Sequence, residues 1–365
     1  MNTRSNSYRI RVINSLDTLA GMAKEWNDLL QDSKADTVFL TWDWLHTWTE
    51  CFLDEHRQLF VLAIYAGNDL IGLAPWYIRR IRTGGVSVKR IEFLGSPECG
   101  SDYLDVVAKK RREKDVAQAV YQFLFNDSPA SWDTVLFRDV PSDSLFLLFF
   151  LEQFERDGKY VEVEPGSFCP VVFLPGDRNS FLKDLTQHRR QQYLRASRQL
   201  QKEGEVIHRC IASGDGVAAL SEFHALYGQR RQKSEKELRF MERLFSRCFY
   251  HGMCEINFLT INDQNCAATL QLRHDKTVFL YHLVADRSFA SKLSIGNFLV
   301  GQCIEKAIDE EFSTYDFLKG SEEYKFYWAN SGRRSLHLIF HGKKLAPALK
   351  MAVKGLKAAA KVLCR

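Results

Sequence analysis

Three apolar runs stand almost end to end in the second half of the chain: Cys254 to Ile261, Ala267 to Arg273 and Thr277 to Val284. Only the polar triplets Asp263-Gln264-Asn265 and His274-Asp275-Lys276 serve as turns between them. Linkers this short join antiparallel neighbours, because a parallel return needs a crossover of a dozen or more residues. The pattern then changes: a connection over 285–295, a helical period over Gly296 to Glu310, and a strand candidate from Thr314 to Leu318. Strand, helix and strand in that order make a βα unit, so the second half should build a mixed sheet flanked by helices.

The first half follows a looser version of the same order, without an alignable repeat. Strands are expected at Tyr8 to Ile13, Arg90 to Phe93, Tyr103 to Val107, Thr134 to Phe137 and Tyr160 to Val163. Leu59 to Tyr65 and Leu70 to Tyr77 read as a hairpin turned at Gly67-Asn68-Asp69, where Gly and Asn tolerate positive φ. Helices are expected over Leu16 to Leu30, Trp42 to Phe52 behind the N-cap Thr41, Arg111 to Phe125 and Ser144 to Asp157. Pro165-Gly166 through Pro170 and Pro175-Gly176 mark the internal breakpoint. Beyond it come a basic helix from Leu182 to Lys202, a strand at Val206 to Cys210, helices at Gly216 to Gln232 and Leu238 to Tyr250, and a last strand at Leu336 to Phe340. The expected domains are 1–168, 169–343 and a C-terminal segment, 344–365.

A chain of 365 residues exceeds what one core usually serves, and 45% hydrophobic residues suffice to fill two. The nine cysteines show no CxxC pair or metal-ligand spacing, and the ten histidines form no HExxH, so reduced thiols and no metal are expected. No G-x-S-x-G elbow is present either. The polar N-terminus lacks a signal-peptide core and no run reaches the roughly 20 apolar residues of a membrane span, which points to the cytoplasm. The net charge of +5 is uneven: ten of the 50 Lys and Arg follow Glu323 and no acid does, leaving 40 basic against 45 acidic residues before that point. Within that tail, a helix from Ala346 to Leu363 would place Lys350, Lys354, Lys357 and Lys361 opposite Leu349, Val353, Leu356 and Leu363. Such a helix docks its apolar stripe on the body, the reading favoured here, or lies peripherally on an anionic membrane face. No DNA partner is expected, because recognition motifs and interleaved aromatics are missing.

The densest chemistry lies in Tyr315-Asp316-Phe317-Leu318-Lys319-Gly320-Ser321-Glu322-Glu323-Tyr324-Lys325-Phe326-Tyr327-Trp328. Asp316 falls near the carboxyl end of its strand, where α/β sheets place ligands. Ionisable groups there serve general acid–base chemistry and the stabilisation of a developing negative charge. Asp316 or Glu323 is the candidate base or amine-orienting group, Lys325 the candidate binder of an anion or oxyanion, and Lys319 and Tyr324 further donors. The alternative is an Asp316–Lys325 ion pair with Tyr324 and Trp328 in the core. At the start of the Gly296 helix, Lys292, Ser294, Ile295, Gly296 and Asn297 could cradle a pyrophosphate with backbone N–H groups and the helix dipole, or form an ordinary capped helix start.

This run resembles the D-F-x-[RK]-G-x-x-x-Y-K-x-x-W signature of the CelD/FemAB-like branch of the GNAT acyltransferases. Trp26, Phe39 to Trp48, Gly95-Ser96 and Ser101-Asp102-Tyr103 resemble that branch's N-terminal pattern, and Gln187 to Arg198 loosely resembles its arginine-rich helix, keeping Arg195 but carrying Gln191, Ala196 and Gln199 at its other arginine positions; Arg198 lies three residues from Arg195 on the same face. The resemblance implies an α/β (α+β) fold of tandem GNAT-like domains, each a mixed, mainly antiparallel sheet flanked by helices. It implies an N-acyltransferase using acetyl-CoA or another acyl-CoA as co-substrate, acting on an amino sugar or other amine, small or attached to lipid or polysaccharide, in envelope or polysaccharide synthesis. Arg195, Arg198, His224, His282, Lys319 and Trp328 would then line the acceptor side. An aminoacyl-tRNA-dependent transferase and a non-catalytic scaffold of a polysaccharide-synthesis complex are the alternatives.

Overall fold

The computed structural model describes residues 8–83, 86–127, 131–212, 216–227, 234–286 and 294–342; Lys292 and the expected segment 344–365 lie outside them. The chain divides into two units, 1–166 with 335–365, and 167–334.

In the first unit, Arg9–Ile13, Val61–Ala66, Asp69–Ala74 and Val107–Ala108 form an antiparallel four-stranded sheet. Gly67 turns the hairpin at φ 63°. A second group joins Arg57–Leu59, Trp76–Thr83 and Val86–Phe93 antiparallel, then Val86–Phe93 to Thr134–Pro141 in parallel across the helix Glu113–Gln122. Residues 335–341 complete it antiparallel to Thr134–Pro141. Its core is aromatic: Trp26, Trp44, Trp48, Trp76, Tyr77, Phe93, Phe137 and Phe150 are all fully buried. The indole N–H of Trp26 reaches Leu40 O at 2.8 Å and that of Trp44 reaches Ser101 Oγ at 2.9 Å, so these two rings enter the core with their donors satisfied, whereas the buried N–H groups of Trp48 and Trp76 meet no acceptor.

The second unit repeats the scheme. Val206–Ile211, Cys254–Ile261, Gln264–His274 and Thr277–Ala285 run antiparallel in succession, and the helix Ile295–Asp309 crosses over to Thr314–Asp316, parallel to Thr277–Ala285. Residues 171–173 close this sheet antiparallel to Thr314–Asp316. A parallel pair with a helical crossover, flanked by antiparallel strands, therefore occurs in both units: a tandem GNAT-like, mixed α/β architecture.

Four expectations differ locally. Leu16 to Leu30 breaks into Leu16–Ala20 and Ala23–Gln31, because Gly21 ends the first helix with its N–H on Asp17 O at 3.2 Å. Leu182 to Lys202 is likewise two helices, Arg178–Asp184 and Gln187–Glu203; Thr186 caps the second through Arg189 N–H. The proline-rich breakpoint is a 13-residue strand, Val161–Phe173, in which Pro170 still offers its carbonyl to Phe317 N–H at 3.0 Å. Of Tyr103 to Val107 only Val107 is in a strand: Tyr103 takes φ 57°, and Asp105 Oδ1 accepts from Val106 N–H at 2.8 Å, a local bond that competes with a ladder. Asp105 is fully enclosed, and burial, against weaker help from Ser144 and Val106 N–H, pushes its carboxyl up to about 7. Among the described residues no helix is long and apolar enough to cross a membrane.

Candidate functional site

The parallel pair opens a wedge. Along the strand Thr277–Ala285, Thr314–Asp316 pairs with Thr277 to Phe279, so Leu280 to Ala285 run on past its carboxyl end. A bulge separates the pairs Leu270–His282 and Gln271–Leu280. It keeps Val278, Leu280, Leu283 and Ala285 together against the helix Ile295–Asp309, while Tyr281 meets Phe245 and His282 meets Phe223 on the other face. The helix starts at the far end of this wedge: a Cβ added to Gly296 would stand 3.3 Å from Ala285 Cβ and 3.7 Å from Leu283. Gly296 thus serves close packing of helix on strand. Ser294 occupies the N-cap position without accepting a capping bond, in contrast to the expected cap.

At the wedge's near end Asp316 is completely buried, and its Oδ1 accepts from Leu318 N–H at 2.8 Å, folding the chain back where Leu318 adopts φ 57°. Its Oδ2 lies 3.8 Å from Arg333 Nη1. Lys325 is 4% exposed; its Nζ donates to Lys319 O at 2.6 Å and Leu318 O at 3.4 Å and lies 3.1 Å from Glu322 Oε2. The ion pair between Asp316 and Lys325 that the sequence allowed is thus replaced by two separate pairs. Gly320, at φ 142°, has no room for a Cβ beside Glu322 Oε2 and Lys325 Nζ. Glu323 opens the helix Glu323–Trp328 from an exposed position. Tyr324 is half-buried, and burial, with the Glu322 charge second, pushes its phenol well up, so it stays protonated.

Trp328 lies in the core, 2% exposed, stacked on Phe181 at 5.8 Å and edge-on to Tyr193 at 5.3 Å. Its Nε1–H donates to Asn297 Oδ1 at 2.5 Å. Gly301 makes room for both rings: a Cβ there would stand 2.5 Å from Tyr193 Cε2 and 2.8 Å from Trp328 Cη2. Gly301→Ala is therefore expected to cost about 1–3 kcal/mol by overpacking, despite alanine's better helix propensity, as measured by denaturant unfolding.

Other expected residues do not converge here. Arg195 and Arg198 are exposed on the side of their helix opposite Tyr193 and Leu200, which face the core. His282 stacks near Phe223, next to the half-buried His224, on the sheet face away from Trp328. Lys319 is half-buried and contributes its carbonyl to Lys325. Arg333 was missed: it sits 17 residues beyond Asp316, within the strand Ser331–His341, and only its place between Gly332 and an apolar run marked it.

Beneath the crossover helix lies a buried charge cluster. Glu255, 3% exposed, is 2.7 Å from Lys306 Nζ and 3.2 Å from Arg273 Nη1, and accepts from Asn257 Nδ2 at 3.0 Å. Burial alone would raise its carboxyl, but Lys306, Asn257 and Arg273 together hold it below the usual range. Among the described residues no group of three His, Cys, Asp or Glu could hold a metal ion.

Residues 187–326, which span the wedge and the signature loop, match the family model of the acetyltransferase (GNAT) domain. The match lies within the second unit. The fold is similar to that of FemX, which superposes with TM-score 0.60 at 10% identity, over 94% of this chain and 99% of that one. L-PGS from Bacillus licheniformis gives TM-score 0.50 at 10% identity, over 94% and 96%. The C-terminal domain of a putative lysylphosphatidylglycerol synthetase from Agrobacterium fabrum gives 0.50 at 10%, over 92% and 96%. No curated protein matches the chain.

Proposed function

We propose that this chain is an acyl-CoA-dependent N-acyltransferase, passing an acetyl group to an amino sugar or another amine, small or carried on lipid or polysaccharide, in polysaccharide or cell-envelope synthesis. The observation that carries this reading is the wedge: the strand from Leu280 to Ala285 running on past the end of Thr314–Asp316, a helix N-terminus at one end and the Asp316–Lys325 loop at the other. An extended thioester arm fits such an edge through main-chain hydrogen bonds, with its phosphates at the helix N-terminus. The amine nitrogen attacks the thioester carbonyl directly; the tetrahedral oxyanion collapses and expels the CoA thiolate. Asp316 or Glu323 orients the amine and takes its proton. Lys325 holds the loop through two carbonyls, and its third N–H points at Glu322, whose side chain is 58% exposed. An incoming anion or the developing oxyanion competes with Glu322 for that N–H.

Calorimetric titration with acetyl-CoA tests the donor. Saturable binding by the parent is expected, with transfer to glucosamine or a related amine falling at least about 100-fold in Asp316→Asn and in Lys325→Met, a range typical of losing a general base or an oxyanion donor. A folded parent that binds no acetyl-CoA would sink the reading. The FemX-like fold favours a second one, aminoacyl-tRNA-dependent transfer of the FemAB kind, with the basic segment after Glu323 available to a large anionic partner. Thioester turnover in the absence of RNA separates the two.

A further inference from the structure

We propose that the hydrogen bond from Trp328 to Asn297 is a positioning contact that sets the first turn of the helix Ile295–Asp309 against the Asp316–Lys325 loop, so that both residues act on the transfer reaction through other groups. This deepens the acyl-transfer reading and rests on it for the reaction being positioned. Both residues had been expected at ligands, Asn297 at the donor and Trp328 at the acceptor, and their geometry points elsewhere. The indole is enclosed by Phe181, Tyr193 and the bare backbone of Gly301, leaving no face for a substrate. Its single polar group, Nε1–H, is spent on Asn297 Oδ1.

Asn297 occupies the first turn of its helix, among the residues whose N–H groups lack an intrahelical acceptor. One residue therefore combines a main-chain N–H at the wedge's far end with a side chain tied to the signature helix. That helix, Glu323–Trp328, is fastened at both ends. Lys325 grips the carbonyls of Leu318 and Lys319, and Trp328, one turn further on, grips Asn297. A shift at the helix start is thus carried by the rigid turn from 325 to 328 into the loop that holds Asp316. Tyr193 backs the arrangement: its hydroxyl donates to Glu305 Oε1 at 3.0 Å and accepts from Gln302 Nε2 at 2.6 Å, both on the same helix as Asn297.

The test compares Asn297→Ala, Trp328→Phe and the double variant, each in the full chain, by amide hydrogen exchange and acetyl-CoA titration. Trp328→Phe keeps an aromatic ring in the core and deletes the donor. Asn297→Ala is expected to speed exchange across Leu318 to Lys325, which Asn297 does not touch, by about tenfold or more, with a five- to tenfold loss of acetyl-CoA affinity. Trp328→Phe should do the same, and the double variant should add little to the larger single effect. Asn297→Asp, which retains an acceptor oxygen, should keep the loop protected. Faster exchange confined to residues 295–298 would reduce the contact to local packing and overturn the proposal. So would an affinity loss in Asn297→Ala with unchanged loop exchange, which would make Asn297 a direct ligand contact. A parent that binds no acetyl-CoA would remove the donor reading, and the exchange measurements would still decide the coupling.

Discussion

Asp105→Asn is expected to raise stability at pH 8 by up to about 4 kcal/mol and to abolish a decline expected of the parent between about pH 4 and pH 7. Burial pushes the Asp105 carboxyl up to about 7, from an ordinary value of 3.8. Between those two values the native chain holds a proton that the unfolded chain has lost, so stability falls as pH rises, and above about 7 the penalty is constant. Asparagine cannot ionise, keeps an acceptor for Val106 N–H and can donate to Ser144. Urea unfolding at pH 5 and pH 8 measures the effect. Equal stability of parent and variant at pH 8 would mean that the carboxylate is accommodated without cost.

Glu255→Ala is expected to behave in the opposite sense, losing up to about 3 kcal/mol at neutral pH, because it removes the buried anion between Lys306 and Arg273 and leaves them only the more exposed Glu310. The Glu255 carboxyl is held below the usual range in the fold, so its contribution is present above the ordinary glutamate value and is lost as pH falls through the folded one. Glu255→Gln keeps a hydrogen-bond acceptor near Lys306 and should lose less. Urea unfolding at pH 7 and pH 4 separates the variants: the gap between parent and Glu255→Ala should narrow at pH 4. A gap that does not narrow would assign the loss to the cavity instead of the charge.

What could be read beforehand was local. The three antiparallel strands after Cys254, the hairpin at Gly67, the cap at Thr41 and the crossover helix each rest on residues within a few positions of one another, where periodicity and turn chemistry act directly. The signature loop was legible as a concentration of ionisable groups. Its wiring was not, because the partners come from elsewhere: Arg333 reaches Asp316 from the next strand, and Asn297 meets Trp328 from 31 residues upstream. The arginines at 195 and 198 show a subtler limit. Their spacing put them on one face, yet Tyr193 and Leu200 had a prior claim on the buried side of the same helix. The bulge beside Tyr281 was invisible for a related reason: a one-residue irregularity reverses which side chains face the helix, and nothing in the residue types announces it.

The strand from Thr277 to Ala285 outruns its parallel neighbour by six residues, and over that length one edge of its main chain meets no other strand among the described residues. Peptide groups are the same in every sequence, so whatever is recognised along such an edge is recognised independently of which side chains the strand carries. Mutation can then rewrite the strand's composition, within the demands of packing, without erasing the edge on which the proposed donor arm would lie. The peptide groups along those six residues would stay where they are whichever side chains the strand carried.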